Sequence, residues 1–222
     1  DNFDFKLHYE KFLDKSDQGA YSNVNQPNEL ACIIGGANGC EAQSTDSPGR
    51  NSANGRNESD NEYDTFIATA NLDLESVLLT YIGSSRDMDE NNLQHFDGAP
   101  VDLLRMRFFN DWKQQSHELR MTSQFSDRFE FIAGLYYFDV EYEQRWDVGD
   151  LHHQLSNIGV IPVPLSATTL SSNGQSQETE SIAAFFSGDW HINEKWTATA
   201  GFRWTEEKKD FIGGNGGAFY DP

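Results

Sequence analysis

The sequence predicts an all-β chain: about seven strands of an antiparallel transmembrane β-barrel, seen in part, with short periplasmic turns and long extracellular loops. Three observations predict it. Apolar and polar residues alternate in segment after segment, which is the period of a strand with one apolar face. The connections between those segments alternate in length, as a membrane imposes on a barrel and uniform water does not impose on a β-sandwich. Aromatic residues gather at strand ends, where an interfacial girdle places them, rather than at mid-strand.

The strands follow in order. Over about 2–13, Phe3, Phe5, Leu7 and Tyr9 alternate with Asp4, Lys6 and His8. Over 63–73, Phe66, Ala68, Ala70 and Leu72 oppose Thr69, Asn71 and Asp73; over 76–87, Val77, Leu79, Tyr81 and Gly83 continue the pattern. Over 108–124, His117, Leu119, Met121 and Ser123 oppose Glu118, Arg120 and Thr122. The segment 129–145 is apolar on both faces around Ile132 to Phe138, and its aromatic and β-branched content favours strand over buried helix. Over 179–191, Ile182, Ala184, Phe186, Gly188 and Trp190 share a face; over 196–211, Trp196, Ala198, Ala200, Phe202 and Trp204 do the same against Thr197, Thr199, Gly201 and Arg203.

Tight turns are expected at 74–75, 126–128 and 192–195, and long polar loops at 14–62, 88–107 and 146–178. Trp196 and Trp204 lie eight residues apart on one face, roughly 26 Å along a strand and about 20 Å along the membrane normal at a tilt of ~40°. Trp190 with Trp196, and Phe125 with Phe129, bracket tight turns as one girdle; Trp112, Tyr142, Trp146 and Phe211 are expected at the opposite rim.

The 222 residues hold 36 acidic and 16 basic side chains, a net charge of −20. That excludes a nucleic-acid surface built on phosphate neutralisation. The stretch 151–177 lacks Asp, Glu, Lys and Arg and is long enough to span a bilayer as a helix. Its Pro162, Pro164, Gly159 and Gly174 predict an irregular loop instead. No basic stretch followed by an apolar segment opens the chain, so no signal peptide is read there.

Gln115-Ser-His-Glu-Leu-Arg-Met-Thr-Ser123, followed by Phe129-Glu-Phe-Ile-Ala-Gly-Leu-Tyr-Tyr-Phe138, resembles the barrel of TonB-dependent outer-membrane receptors. The hairpin from Ala184 to Lys209, with its Ala-Gly-Phe-Arg-Trp-Thr run, is similar to that family's next hairpin. The two matches cover about 100–211. The resemblance implies a transporter in the outer membrane of a Gram-negative bacterium that imports a scarce small-molecule cargo, a ferric siderophore or another large nutrient such as cobalamin. Its implied partners are the surrounding lipid and TonB, which acts through a plug. On this reading, residues 1–222 are an internal fragment of the barrel domain and the plug domain is not present. Neither an enzyme activity nor a cofactor is expected. Two rivals remain: a passive porin, and a secreted acidic β-sandwich that binds carbohydrate.

Few residues point to chemistry. Cys32 and Cys40 are the two cysteines, eight residues apart with glycines between; a disulfide there would tighten the loop by roughly 2–3 kcal/mol, whereas zinc would need further ligands at suitable spacing. Ile158, Val160, Ile161, Val163 and Leu165 make an apolar loop tip that either contacts a ligand or packs against neighbouring loops. The run from Asp87 to Asn92 begins like a calcium loop but has Asn92 and Gly98 where Gly and Glu are required. Asp60, Glu62 and Asp64 alternate on one face, where cation capture would be unspecific. His152 and His153 are expected to be solvated, and Glu118, Arg120, Arg203 and Glu206 to form a charge ladder facing the lumen. Gly213-Gly-Asn-Gly-Gly217 follows a strand but opens no helix, and no catalytic motif is found.

Overall fold

The computed structural model describes residues 2–19, 29–40, 53–123, 128–166 and 168–220. Seven strands form one antiparallel sheet in sequence order: β1 (Phe3–Gln18), β2 (Asn57–Asp73), β3 (Val77–His95), β4 (Arg105–Ser123), β5 (Phe129–Gly149), β6 (Leu170–Asn193) and β7 (Trp196–Tyr220). Two short helices, α1 (Glu29–Gly35) and α2 (Leu151–Asn157), lie in the long connections, and a 3-10 turn at Gly36–Gly39 follows α1. The sheet is not closed: β1 pairs with β2 and β7 with β6.

The tight turns are built by side-chain capping. Leu74 N–H donates to the Val77 carbonyl at 2.9 Å, the Asp73 carboxylate accepts from Glu75 N–H at 3.0 Å, and Glu75 takes φ 64°. Between β6 and β7 the Asn193 side-chain oxygen accepts from Lys195 N–H at 2.9 Å and Trp196 N–H at 3.0 Å. These are turns in which a short Asx side chain replaces a backbone partner. Phe125 and residues 126–127 of the expected third turn lie outside the described residues.

Strand count and order agree with expectation, but the strands run further at the loop ends. They are 16 to 25 residues long, so the loops are shorter than expected. The stretch read as an irregular loop, 151–177, contains α2 and the first residues of β6, and the glycine-rich run at 213–217 lies within β7. Once register is set, ladder hydrogen bonds continue through polar sequence, and apolar alternation marks only the part of a strand that faces an apolar phase.

Register sorts the side chains into two faces. Phe3, Leu72, Leu79, Met121, Ala133, Phe186 and Phe202 stand directly across from one another, one from each strand in order. The next row is Phe5, Ala70, Tyr81, Leu119, Leu135, Ala184 and Trp204. Phe5, Leu119, Leu135, Phe186 and Phe202 on this outer face are exposed. The opposite, inner face carries the buried Thr65, Thr80, Thr179, Ser181 and Ala183. Crowding of small polar side chains there marks the concave side of the sheet, and the apolar residues stand on the convex one.

The outer apolar residues form a belt between two aromatic rims. Phe129, Trp190 and Trp196 stand at the turn end; Tyr9, Tyr81, Tyr137 and Trp204 stand at the loop end. From Phe129 to Tyr137 is eight residues, about 20 Å along the normal for strands tilted ~40°, close to the ~25 Å apolar band of a membrane barrel. Beyond the upper rim the outer face turns charged, with Lys11, Asp64, Asp87, Lys113, Glu141, Glu178 and Asp210 in one row. Trp112, Tyr142, Trp146 and Phe211 are not the upper rim: strand parity places all four on the inner face.

Candidate functional site

The inner face above the belt holds the most organised chemistry in the chain. Phe12, Tyr63, Met88, Trp112, Tyr142, Gln177 and Phe211 form one row across all seven strands. Tyr142 lies five residues beyond Tyr137, so the row sits about 13 Å above the upper rim at ~40° tilt, in the mouth of the barrel. Phe12 stacks on Tyr63 with ring centroids 5.3 Å apart, and Trp112 meets Tyr142 at 5.4 Å. The row is a shelf of rings held side by side by register alone.

An amide ladder runs one row higher, through Asp14, Asn61, Glu90, Asn110, Gln144 and Gln175. Gln175 donates to Gln144 at 2.9 Å, Gln144 to Asn110 at 2.9 Å, and Asn110 to Glu90 at 2.8 Å, while the Tyr63 hydroxyl donates to the same Glu90 carboxylate. Gln144 and Asn110 each donate to one neighbour and accept from the other, which orients their amides and polarises the chain toward the carboxylate. The wall thus presents flat apolar rings beside oriented amides, a surface suited to a large ligand with both aromatic and polar parts.

Below the shelf, a cavity of about 310 Å³ is lined by Glu10, Phe12, Tyr63, Thr65, Arg86 and Met88. Arg86 Nε donates to Thr65 Oγ1 at 3.1 Å, which orients the guanidinium along the wall of a recess that also holds the Glu10 carboxylate.

Above the strands, three connections lock together. The helix α1 residue Ala31 is buried against Ala99 and Leu103, with Leu30, Ile34, Val101 and Leu104 around them. The Asp97 carboxylate accepts from the backbone N–H groups of Ala99, Leu103 and Leu104 at 3.1, 3.1 and 3.0 Å. Asn54 donates to Asp102 at 2.6 Å and Gln154 to the Asp102 carbonyl at 2.9 Å, tying the β1–β2, β3–β4 and β5–β6 connections into one cap. Cys32 and Cys40 are disulfide-bonded within it.

The apolar tip after α2 is folded on itself. Ser156 Oγ donates to the Val163 carbonyl at 2.8 Å and accepts from Leu165 N–H at 3.2 Å, and His153 Nδ1 meets the Leu165 carbonyl at 2.7 Å. With Asn157 Nδ2 on its other nitrogen at 3.1 Å, His153 ties the two sides of the tip together as a structural clasp rather than standing as a solvated side chain. Burial pushes the His152 imidazole down and the Asp150 carboxyl up, the latter partly offset by Arg105. Ile158, Val160 and Val163 remain exposed, with Ile161 and Leu165 half-buried.

Other expected groups are dispersed. Arg120 pairs with Glu118 at 3.7 Å on the inner face and Arg203 shares that face, but Glu206 is on the outer one, across from Ile182. An odd and an even position on one strand cannot share a face. Asp60, Glu62 and Asp64 share the outer face, where they pair with Lys15 and Lys11. Among the described residues, no group of three or more His, Cys, Asp or Glu is disposed to hold a metal ion. Sequence reasoning missed the aromatic shelf; the parity of Trp112 and Tyr142 against Leu119 and Leu135 was the available signal.

Comparison with known proteins agrees with this architecture. The crystal structure of the ferric yersiniabactin uptake receptor FyuA from Yersinia pestis superposes with a TM-score of 0.64 at 14% sequence identity, over 99% of this chain and 29% of that one. No curated protein matches by sequence. Residues 2–222 match the family described as TonB dependent receptor-like, beta-barrel. Membership of a family defined by such a barrel accounts for the belt and the tight turns, and the chain belongs to the TonB-dependent receptor β-barrel family.

Proposed function

We propose that this chain forms part of the wall of an outer-membrane receptor of a Gram-negative bacterium, which imports a ferric siderophore or another large nutrient in a TonB-dependent way. The observation that carries the reading is the aromatic shelf with its amide ladder on the inner face, just above the apolar belt. A ligand that has passed the connections above the strands meets this wall next. Its rings would stack on Trp112, Tyr142 and Phe12, and its polar groups would exchange water for the oriented amides of Asn110, Gln144 and Gln175. The likeness in fold to a receptor of ferric yersiniabactin uptake makes an iron chelate the cargo class proposed first, with cobalamin as the alternative.

The exposed Val160 and Val163 at the loop tip are proposed as a second, outer contact for cargo, since their side chains are not packed away. TonB is proposed to act through a plug domain, as the family resemblance implies. In the receptor that carries this chain, Trp112→Ala with Tyr142→Ala is expected to weaken ferric-siderophore binding by about tenfold or more. The heat-modifiable electrophoretic mobility of a folded barrel should be retained. Unchanged binding of every iron chelate and of cobalamin would refute the shelf as the cargo site. Uptake that persists in cells lacking TonB would favour the passive porin.

A further inference from the structure

The wall above the shelf holds a carboxylate whose hydrogen bonds are satisfied but whose charge is not. Glu90 stands on β3 with Asn61 of β2 on one side and Asn110 of β4 on the other. It accepts from the Tyr63 hydroxyl and from Asn110 Nδ2, the latter at 2.8 Å. Both donors are neutral, so they occupy its lone pairs and leave its negative charge in place. The amides behind Asn110 reinforce this. Gln144 and Gln175 each turn an N–H end toward Glu90, and such oriented dipoles favour the ionised form.

The same end of the row is rich in acceptors and short of protons. Asp14, across from Asn61, lies 3.1 Å from the Ser59 hydroxyl, whose single proton is also 2.8 Å from Asn92 Oδ1. Asn61 is only 8% exposed, and its Oδ1 has no donor among the described residues, its Nδ2 being directed to Ser59 at 2.8 Å. Neither Asp14 nor Glu90 has an ion pair among the described residues. The basic groups one row below the shelf are matched elsewhere: Lys209 meets Glu207 at 3.8 Å, and Arg86 shares its recess with Glu10. The two carboxylates bear on one spot, since the Tyr63 hydroxyl is pushed up to about 12 by its hydrogen bond to Glu90, by burial, and by the charges of Glu90 and Asp14.

We propose that the shelf selects cargo presenting a cationic, N–H-bearing group, a protonated amine foremost, beside its flat apolar part, and that it disfavours polyanionic chelates. An ammonium brings the donors that Glu90, Asp14 and Asn61 lack, and it gains from the ring faces of Tyr63 and Trp112 in the row below. A chelate with several negative charges meets like charge at the same place. The proposal rests on the reading of the shelf as the cargo site and adds the charge of what that site accepts.

The test uses the receptor that carries this chain, extracted in detergent, with three probes. These are a ferric trihydroxamate with a free terminal amine, the same chelate with that amine acetylated, and a ferric tris-catecholate. Expected are tightest binding of the amine-bearing chelate, binding weaker by about fivefold or more after acetylation, and weaker still for the tris-catecholate. The gap between the first two should narrow as salt is raised. Glu90→Gln keeps the shape of the side chain and should close that gap, with heat-modifiable mobility as the check on folding. Tris-catecholate bound as tightly as the amine-bearing chelate would overturn the proposal. So would an acetylation effect that survives in Glu90→Gln, or binding of none of the three. The shelf reading itself fails on a different observation: Trp112→Ala with Tyr142→Ala leaving the binding of every ligand, cobalamin included, unchanged.

Discussion

Phe186 offers the sharpest test of the belt. It lies four residues from Trp190 at the lower rim and four from Ile182, which stands across from Tyr137 of the upper rim. Each interval is about 13 Å along the strand and roughly 10 Å along the normal, so Phe186 sits at the middle of the belt. Its ring also stacks on Phe131 with centroids 5.9 Å apart, so truncation alone has a cost that must be subtracted. Phe186→Leu measures that cost; Phe186→Arg adds a charge at the bilayer midplane, worth about 2–4 kcal/mol on a lipid-facing barrel position. At Trp190 the same comparison, Trp190→Arg against Trp190→Leu, should differ by only about 0–1 kcal/mol, because an interfacial arginine reaches water. The assay is denaturant unfolding of the receptor refolded into lipid vesicles, read as the change in midpoint times slope. Equal penalties at Phe186 and Trp190 would refute the argument, since a water-surrounded sandwich core has no depth profile. Full solubility of the folded receptor without detergent would refute it as well.

Other outcomes follow from the cap and its loops. Gly39→Ala would place a Cβ 1.9 Å from the Ala31 carbonyl oxygen; forced shifts of this kind cost about 1–3 kcal/mol, and should speed hydrogen exchange across 29–40 and 96–104 while barrel melting stays unchanged. Unreduced, denatured receptor should show no titratable thiol from Cys32 and Cys40, and reduction should loosen the same cap by roughly 2–3 kcal/mol; two free thiols in native material would contradict the pairing. His152 is depressed by burial from its ordinary 6.5. The unfolded loop therefore takes up a proton first, and loop stability falls as pH drops below about 6.5 and is flat above it. Protease nicking of 150–166 should rise from pH 7.5 to 5.5, and His152→Asn should abolish that slope. Asp150, raised by burial, works in the opposite sense at the acid end.

Much of this protein is legible in its sequence because a strand in a single-layer sheet has only two faces. Where one face meets lipid, every second residue must be apolar, so the order of the strands, the tight turns and the lower rim at Phe129, Trp190 and Trp196 could be read from alternation alone. Outside the lipid that pressure disappears. Toward the loop ends β2, β3 and β6 have no continuous apolar face, only single residues such as Tyr63 and Met88, and the ladder of the neighbouring strand is what shows that they are strands. Helices α1 and α2 are seven residues each, too short to impose a helical period and dependent on the cap they pack into. Face assignment was available from parity, yet rings near strand ends suggested a rim where Trp112, Tyr142, Trp146 and Phe211 in fact line the inner wall. What tertiary structure alone decided is which residues on different strands share a row. The aromatic shelf and the amide ladder from Glu90 to Gln175 each draw on three or more strands, and their spacing is set by register between segments far apart in the chain.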